Sequence, residues 1–418
     1  MYKAPRGTVD ILPAEQLYYR YVESQAAEMC RRYGYGRIET PVFEESGLFV
    51  RTIGQGTDIV EKETYTFKDR SEQEMTLQPE GTAPVCRAYI EHGMKALPQP
   101  VRLYYFASIF RYERPQKGRY RQHHQFGVEA IGEDDPALDS EVIEMAWNFY
   151  ATLGLNDLAL YINSIGCREC RPGYIKKLKK YYSSHIDELC PQCKTRYERN
   201  PLRLLDCKEP SCLALADAAP KSEASLCPEC KQHFKEVLGN LKILKVPCKK
   251  NHRLVRGLDY YTRTVFEIQP IAGGGAQSAL GGGGRYDNLI EELGGKPTPA
   301  IGFAVGIDRI VMSLKEQGIE LPPSEDQGIY VAYAGEKAKA EAIRLTAEMR
   351  TAGIPVYIGF GNKSLKSQMR QANNLGVSFA FIFGDDEVQK GTVIYKDMVG
   401  GEQWEVEISE VISLLTQG

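Results

Sequence analysis

The stretch that most restricts this chain is residues 108–129, SIFRYERPQKGRYRQHHQFGVE. Apolar Ile109 and Phe110 lead into it, Phe126 and Val128 lead out, and Pro115 and Gly118 lie between. Turn formers between two strand-like runs turn the chain back on itself. An antiparallel hairpin with a long loop is expected, and with it a core built on an antiparallel sheet. The loop carries Arg111, Arg114, Lys117, Arg119 and Arg121 around one acid, Glu113, and closes on Gln125 and Glu129. Guanidinium forks grip phosphate oxygens bidentately, so the loop suits a polyanion. A solvated basic loop is the plainer reading. The carboxylate and amide at its base, among aromatics, favour a site for a phosphate and a small polar molecule together.

The chain has 418 residues, 43% hydrophobic and 26% charged, which allows two or three domains. No apolar run approaches the roughly 20 residues of a membrane span. The N-terminus, MYKAPRGTVDILP, lacks the apolar core of a signal peptide. A cytoplasmic protein with no membrane partner is expected. Net charge is only −3, so any nucleic-acid binding must come from local patches such as 111–121.

Residues 14–34 have helical spacing with Gly34 as a stop. GRIETPVFEESGLF reads as a short strand broken by Pro41, residues 64–79 as a hairpin, and EGTAPVCRAYIEHG as a helix with Thr82 a plausible cap. A helix over DSEVIEMAWNFYATLG and a strand over LALYINSIG follow. Strand signals return at 254–268 and lead into the Gly-rich GGGAQSALGGGGRYDNLIEELGG; the helix IDRIVMSLKEQG follows AIGFAVG. After a linker, ELPPSEDQ (320–327), strands alternate with helices on short connections, which implies a small parallel sheet with packed helices. The expected fold is therefore an α+β core on an antiparallel sheet with flanking helices (1–325), interrupted by a helical Cys-rich insert (167–248) and followed by an α/β domain (326–418).

Several residues stand out chemically. Glu80 lies just before a helix start, placed either to cap it or to receive an amino group near anion-binding amides. Arg256 and Asp259 are charges in an apolar run beside Tyr260 and Tyr261. They either pair with each other or leave Arg256 to stabilise phosphate charge in a transition state. LGGGGRYD permits close backbone approach to a ligand, but it lacks the strand–GxGxxG–helix context of a dinucleotide fold. Gly306 and Arg309 sit at a strand-to-helix boundary, where Arg309 can face a triphosphate.

Nine of the eleven cysteines lie between Cys167 and Cys248. They form Cys167-x2-Cys170, Cys190-x2-Cys193, Cys207-x4-Cys212 and Cys227-x2-Cys230. In a cytoplasmic chain such pairs read as metal sites more readily than as disulfides. One or two tetrahedral Zn²⁺ sites are the metal reading, with Cys190, Cys193, Cys227 and Cys230 the expected ligands. Reduced, unmetallated thiols are the alternative.

Together these segments resemble the histidyl-tRNA synthetases, class II aminoacyl-tRNA synthetases of the bacterial type. ETPVFE is similar to class II motif 1, the dimer-interface element. FRYERPQKGRYRQHHQFGVE resembles motif 2, and AIGFAVGIDRI motif 3. LVRGLDYYTRTVFE and GGGGRYD resemble the two peptides that set this family apart. The resemblance implies a homodimer that activates L-histidine with ATP to histidyl-adenylate and pyrophosphate, with Mg²⁺ on the phosphates. The histidyl group then passes to the 3′ end of tRNA(His). It further implies that Glu80 and Thr82, with Gly81 between them, hold the α-amino group. Glu129, with Tyr260 and Tyr261 nearby, would bind the imidazole, and Gln125 would orient the substrate. Arg111 would grip the carboxylate and α-phosphate, Arg256 the α-phosphate during attack, and Arg309 the γ-phosphate. Arg111, Arg256 and Gln125 are thus the implied catalytic residues. Glu113, Arg119 and Phe126 would complete the ATP pocket. Gln116, Lys117 and Arg121 would meet the tRNA acceptor end, and the terminal domain the anticodon.

Two departures are expected to tune the pocket: Gln78 where the family usually carries Arg, and His124 beside a second imidazole, His123. The rival readings are a synthetase-like regulatory subunit of ATP phosphoribosyltransferase and a zinc-dependent nucleic-acid-binding protein. The first typically lacks the terminal domain and has degraded signature peptides. The intact loop, Glu80 and Arg256 argue against the second.

Overall fold

A computed structural model describes residues 2–416 except 55, 56, 58, 272–278 and 323–327. Parts of the Gly-rich stretch and of the proposed linker lie outside the described residues. The chain divides into two compact units, Met1–Leu321 and Pro322–Gly418.

The first unit is built on an eight-stranded sheet. The expected hairpin, Val101–Phe110 paired antiparallel with Gln122–Ile131, forms its second and third strands. Ala300–Gly306, Gly281–Arg285, Thr262–Pro270 and Leu158–Ser164 extend it, each antiparallel to the last. Short parallel strands, Gly36–Arg37 and Cys248–Lys250, finish the two edges. Along Gln122–Ile131 side chains alternate between the two faces. Phe126 and Val128 point to one face, where Val22, Ala26 and Met29 of helix Pro13–Arg32 and Val142 and Phe149 of helix Pro136–Thr152 cover them. His123, Gln125, Gly127 and Glu129 point to the other face.

Two local expectations are corrected. In the segment read as a strand broken by Pro41 (36–49), strands Gly36–Arg37 and Phe43–Glu45 do flank Pro41, but from Ser46 the chain is helix Ser46–Ile53, which buries Phe49 and Ile53 against Ala83. Residues 254–261 are irregular backbone, bending and turning only over 257–260, and the strand begins only at Thr262. A small three-stranded sheet, Phe43–Glu45, Glu74–Leu77 and Thr66–Lys68, contains the hairpin expected over 64–79.

Between Ser164 and Cys248 the chain forms helices Arg171–Tyr182, Pro191–Arg199, Pro210–Ala218 and Pro228–Ile243. Each carries proline in its first turn, where a missing N–H costs nothing. Helix Pro228–Ile243 is tied to the core by a buried polar network. His233 Nε2 lies 2.8 Å from Asp139 Oδ2, and Arg285 Nε donates to Asp139 Oδ1 at 2.6 Å with both side chains fully buried. Sequence reading did not find this network, whose members are about 150 residues apart at the extremes.

The second unit is a five-stranded sheet in the order Val356–Ile358, Ile329–Tyr333, Phe379–Phe383, Thr392–Asp397, Gln403–Glu407. The first three strands are parallel and the last two antiparallel. Helices Glu336–Thr351 and Leu365–Leu375 pack on it. No helix among the described residues is long and apolar enough to cross a membrane.

Candidate active site

A cavity of about 230 Å³ opens on the glycine-rich face of the first sheet. Its floor is Gly282, Gly302, Ala304 and Gly306, so the sheet presents almost bare backbone there. A Cβ at Gly302 would run into the Glu129 carboxylate, and one at Gly282 would lie 2.8 Å from Arg256 Nη1. Small residues here are a requirement of what stands above them.

Two buried carboxylates share one hydrogen-bond network. Glu80 accepts from the backbone N–H of Thr82 (2.7 Å) and Ala83 (2.8 Å) at the start of helix Thr82–Glu91. The capping role is therefore Glu80's. Thr82, expected as the cap, is instead the first helical residue, and its hydroxyl donates to Glu129 Oε1 at 2.7 Å. Tyr286 donates to the other oxygen of Glu129, and Tyr260 to Glu80 at 3.4 Å. Burial raises both carboxyls, Glu129 to about 8. A cation or N–H donor reaching Glu129 would favour its ionised form and draw off that proton.

Cations line the rest. Arg111 Nε donates to Pro79 O at 2.7 Å, beside Glu80, and burial lowers its pKa. Arg119 is ion-paired with buried Glu113. Arg309 spans from Gly118 O (3.0 Å) to Ala279 O (2.7 Å). Arg256 Nη1 donates to Glu267 Oε2 at 2.7 Å, and its guanidinium lies 5.9 Å from the Tyr261 ring centroid. The Arg256–Asp259 pairing weighed from sequence does not form; Asp259 accepts from Asn200 at 2.6 Å. Gln125 Oε1 is buried with no hydrogen-bond partner. His123 is pushed down to about 3, by burial and then by the Arg111 cation, so a neutral ring lines the cavity. Two acids able to accept from an amine or imidazole face four guanidinium groups able to grip phosphate, an arrangement suited to an amino acid and a nucleotide together.

A family profile described as "Histidyl-tRNA synthetase" matches residues 7–169 and 186–310, and one described as "Anticodon binding domain" matches 328–417. The curated histidine–tRNA ligase of Dehalococcoides mccartyi strain 195 is 56% identical over 99% of this chain and 98% of its own. That of Desulforamulus reducens is 50% identical over 98% and 97%. The apo crystal structure of Staphylococcus aureus histidyl-tRNA synthetase is 38% identical, covers 99% of each chain and superposes with a TM-score of 0.84. The chain belongs to the histidyl-tRNA synthetase family. Its activity is that of a class II aminoacyl-tRNA ligase, joining histidine to tRNA(His) after activation by ATP.

Seen against that family, the cavity gathers Glu80, Thr82, Arg111, Glu113, Arg119, Gln125, Glu129, Arg256, Tyr260, Tyr261 and Arg309 from distant parts of the chain. Gly81 does not line it and gives its Cβ space to the Tyr105 ring. Phe126, expected in the ATP pocket, is fully buried on the opposite face against Phe106, Phe149 and Phe303. The period-two alternation of its own strand excludes it. The same alternation, counted from Gln125 and Glu129, would have put His123 in the cavity, which sequence reading missed; Tyr286 was missed as well. Gln78 is buried and donates to Ser108 O at 2.9 Å. His124 lies on the far face beside Asp308, 3.3 Å away. Gln116 and Lys117 are exposed on the loop, Lys117 Nζ donating to Glu316 at 2.7 Å. Arg121 stacks 3.8 Å from the Tyr112 ring centroid, and its backbone N–H donates to Gly7 O.

Proposed function

We propose that this cavity performs histidine activation with a division of labour among its residues. Glu80 and Thr82 receive the α-amino group. Glu129 receives an imidazole N–H, with Tyr260, Tyr261 and Tyr286 closing the pocket around the ring, and Gln125 takes a second substrate contact. The histidine carboxylate attacks the α-phosphate. It is already a nucleophile, so the step needs alignment and charge neutralisation more than a base. Arg111 and Arg256 supply both, Arg309 and Arg119 hold the outer phosphates, Glu113 fixes Arg119, and His123 stacks on the base. Mg²⁺ bound to the phosphates would neutralise further charge. The observation that carries this reading is the pairing of buried Glu80 and Glu129 with Arg111, Arg119, Arg256 and Arg309 around one cavity.

Gln116, Lys117 and Arg121 receive the acceptor end of the tRNA from the motif 2-like loop, and residues 328–417 its anticodon. The working form is a cytoplasmic homodimer. Its support is the exposed Val42, Phe43 and Phe67 on the small sheet at the motif 1-like segment, apolar surface that a second copy would cover. The domain organisation is a catalytic unit interrupted by the Cys-rich insert, followed by the α/β unit. The test is histidine-dependent ATP–pyrophosphate exchange followed by charging of tRNA(His). Both are expected, and folded protein without exchange would end the assignment of this cavity. Light scattering reads the dimer, and a monomer at micromolar concentration would remove that element.

A further inference from the structure

The eight cysteines of 167–230 do not use the ligand set expected from sequence. Cys190 and Cys193 fall in one cluster and Cys227 and Cys230 in another. The first quartet is Cys167, Cys170, Cys227 and Cys230; the second is Cys190, Cys193, Cys207 and Cys212. In each, all four sulfurs lie within 4.8 Å of one another.

The spacing identifies the chemistry. Cys167 Sγ lies 3.7 Å from Cys170 and 3.8 Å from Cys227, and Cys190 Sγ lies 3.8 Å from Cys207. A disulfide needs about 2.05 Å. Four thiolates about 2.3 Å from one Zn²⁺, at the corners of a tetrahedron, stand about 3.8 Å apart. The three edges Cys167–Cys170, Cys167–Cys227 and Cys190–Cys207 have that length, and every other edge lies within 4.8 Å. The backbone supports it. In both CPxC turns the first cysteine is the N-cap of a helix and its sulfur accepts from the backbone N–H of the second, Cys193 N at 3.4 Å and Cys230 N at 3.5 Å. Cys170 Sγ accepts from Cys167 N and Cys212 Sγ from Cys190 N, both at 3.3 Å. These backbone donors fix the direction of each sulfur, so that the cysteines of each quartet converge on one point. Gly166, with φ +77°, leaves room for Cys170 Sγ, which would lie 2.7 Å from a Cβ there. The cationic side chain of Arg171 follows directly in the chain, where a tetrathiolate zinc centre would carry net negative charge.

We propose that the insert carries two structural Zn²⁺ ions, one on Cys167, Cys170, Cys227 and Cys230 and one on Cys190, Cys193, Cys207 and Cys212. The first fastens the exit of strand Leu158–Ser164 to the start of helix Pro228–Ile243. The second fastens helix Pro191–Arg199 to helix Pro210–Ala218. Between those helices, Asn200 holds Asp259 at 2.6 Å and Arg203 Nη1 reaches Arg256 O at 3.4 Å. The second ion therefore steadies the segment that backs the Arg256–Tyr261 loop.

The test is zinc content by plasma mass spectrometry on full-length protein purified without chelator or added metal. About two ions per chain are expected, and fewer than about 0.2 would overturn the proposal. Cys167→Ser/Cys170→Ser and Cys190→Ser/Cys193→Ser should each lose about one ion. If the first variant kept its full complement, the pairing would be wrong. Should the variants fail to fold, cobalt substitution of the native protein decides. Thiolate-to-cobalt charge transfer with intense tetrahedral d–d bands, saturating at about two equivalents, is expected; weak octahedral bands would overturn the assignment.

Discussion

Glu129 sets function against stability, and replacing it with Gln measures the conflict. Its carboxyl is about 1% exposed, and loss of solvent lifts its pKa from 4.5 to about 8. The folded value lies above the unfolded one, so the folded protein binds the proton more tightly. That contribution is fully present below pH 4.5 and is lost as pH rises through 8. Each unit in the window removes about 1.4 kcal/mol, so by pH 7 the loss is about 3 kcal/mol. Gln has no proton to release, and the Thr82 and Tyr286 hydroxyls can reorient to serve an amide. Glu129→Gln is therefore expected to gain on the parent protein by this amount between pH 4.5 and 7. Unfolding entropy of about 2.1 cal/mol/K per residue over Met1–Leu321 makes that about 4–5 K in Tm. Scanning calorimetry without histidine, from pH 5 to 8.5, reads it directly. The gap should widen to about pH 8 and then level, while histidine binding to the variant falls sharply. A gap independent of pH would show that Glu129 is ionised throughout and would refute the argument from burial.

Arg256→Ala should leave histidine binding largely intact and slow adenylation by at least about tenfold, about 1.4 kcal/mol of barrier; an unchanged single-turnover rate removes Arg256 from the chemistry. Arg285→Ala strands the buried Asp139 carboxylate without its main partner and should cost about 3–5 kcal/mol, seen as a lower Tm, with the histidine KM of surviving folded protein little changed. Gly302→Ala pushes a methyl group into Glu129 and should raise the histidine KM by about tenfold or more, with the ATP KM moved far less. Equal effects on both substrates would show that Gly302 only shapes the sheet.

What the sequence reveals is what local pattern controls. The hairpin around 111–121, the Gly306–Arg309 boundary and the strand–helix alternation of the terminal unit are set by turn residues and periodicity within each segment, and the structure has them. The reading of 254–261 as strand failed because that segment is fixed by outside contacts: Asp259 by Asn200, and the Arg256 carbonyl by Arg203. Its own alternation is real, but no partner strand stands beside it. The metal ligands failed for a related reason. Spacing identifies each CxxC turn, whereas the partner of each turn depends on how four helices fold back.

The cavity illustrates the deeper limit. Its cations and acids are conspicuous in the chain, but its space comes from residues with no side chain. Glu129 fits only because its cross-strand partner is Gly302, and Arg256 reaches across the sheet only because Gly282 lies beneath it. Three adjoining strands must meet in one register for those absences to coincide. A one-residue slip of Ala300–Gly306 would turn Phe303 toward Glu129 and close the pocket while leaving the motif unaltered. Strand register therefore turns a set of recognisable residues into a site, and the phenylalanines on the far face, Phe126 and Phe303 packed at 5.9 Å, hold it. Phe126 lies outside the ATP pocket and still serves it: its burial against Phe303 opposes the slip that would destroy the pocket.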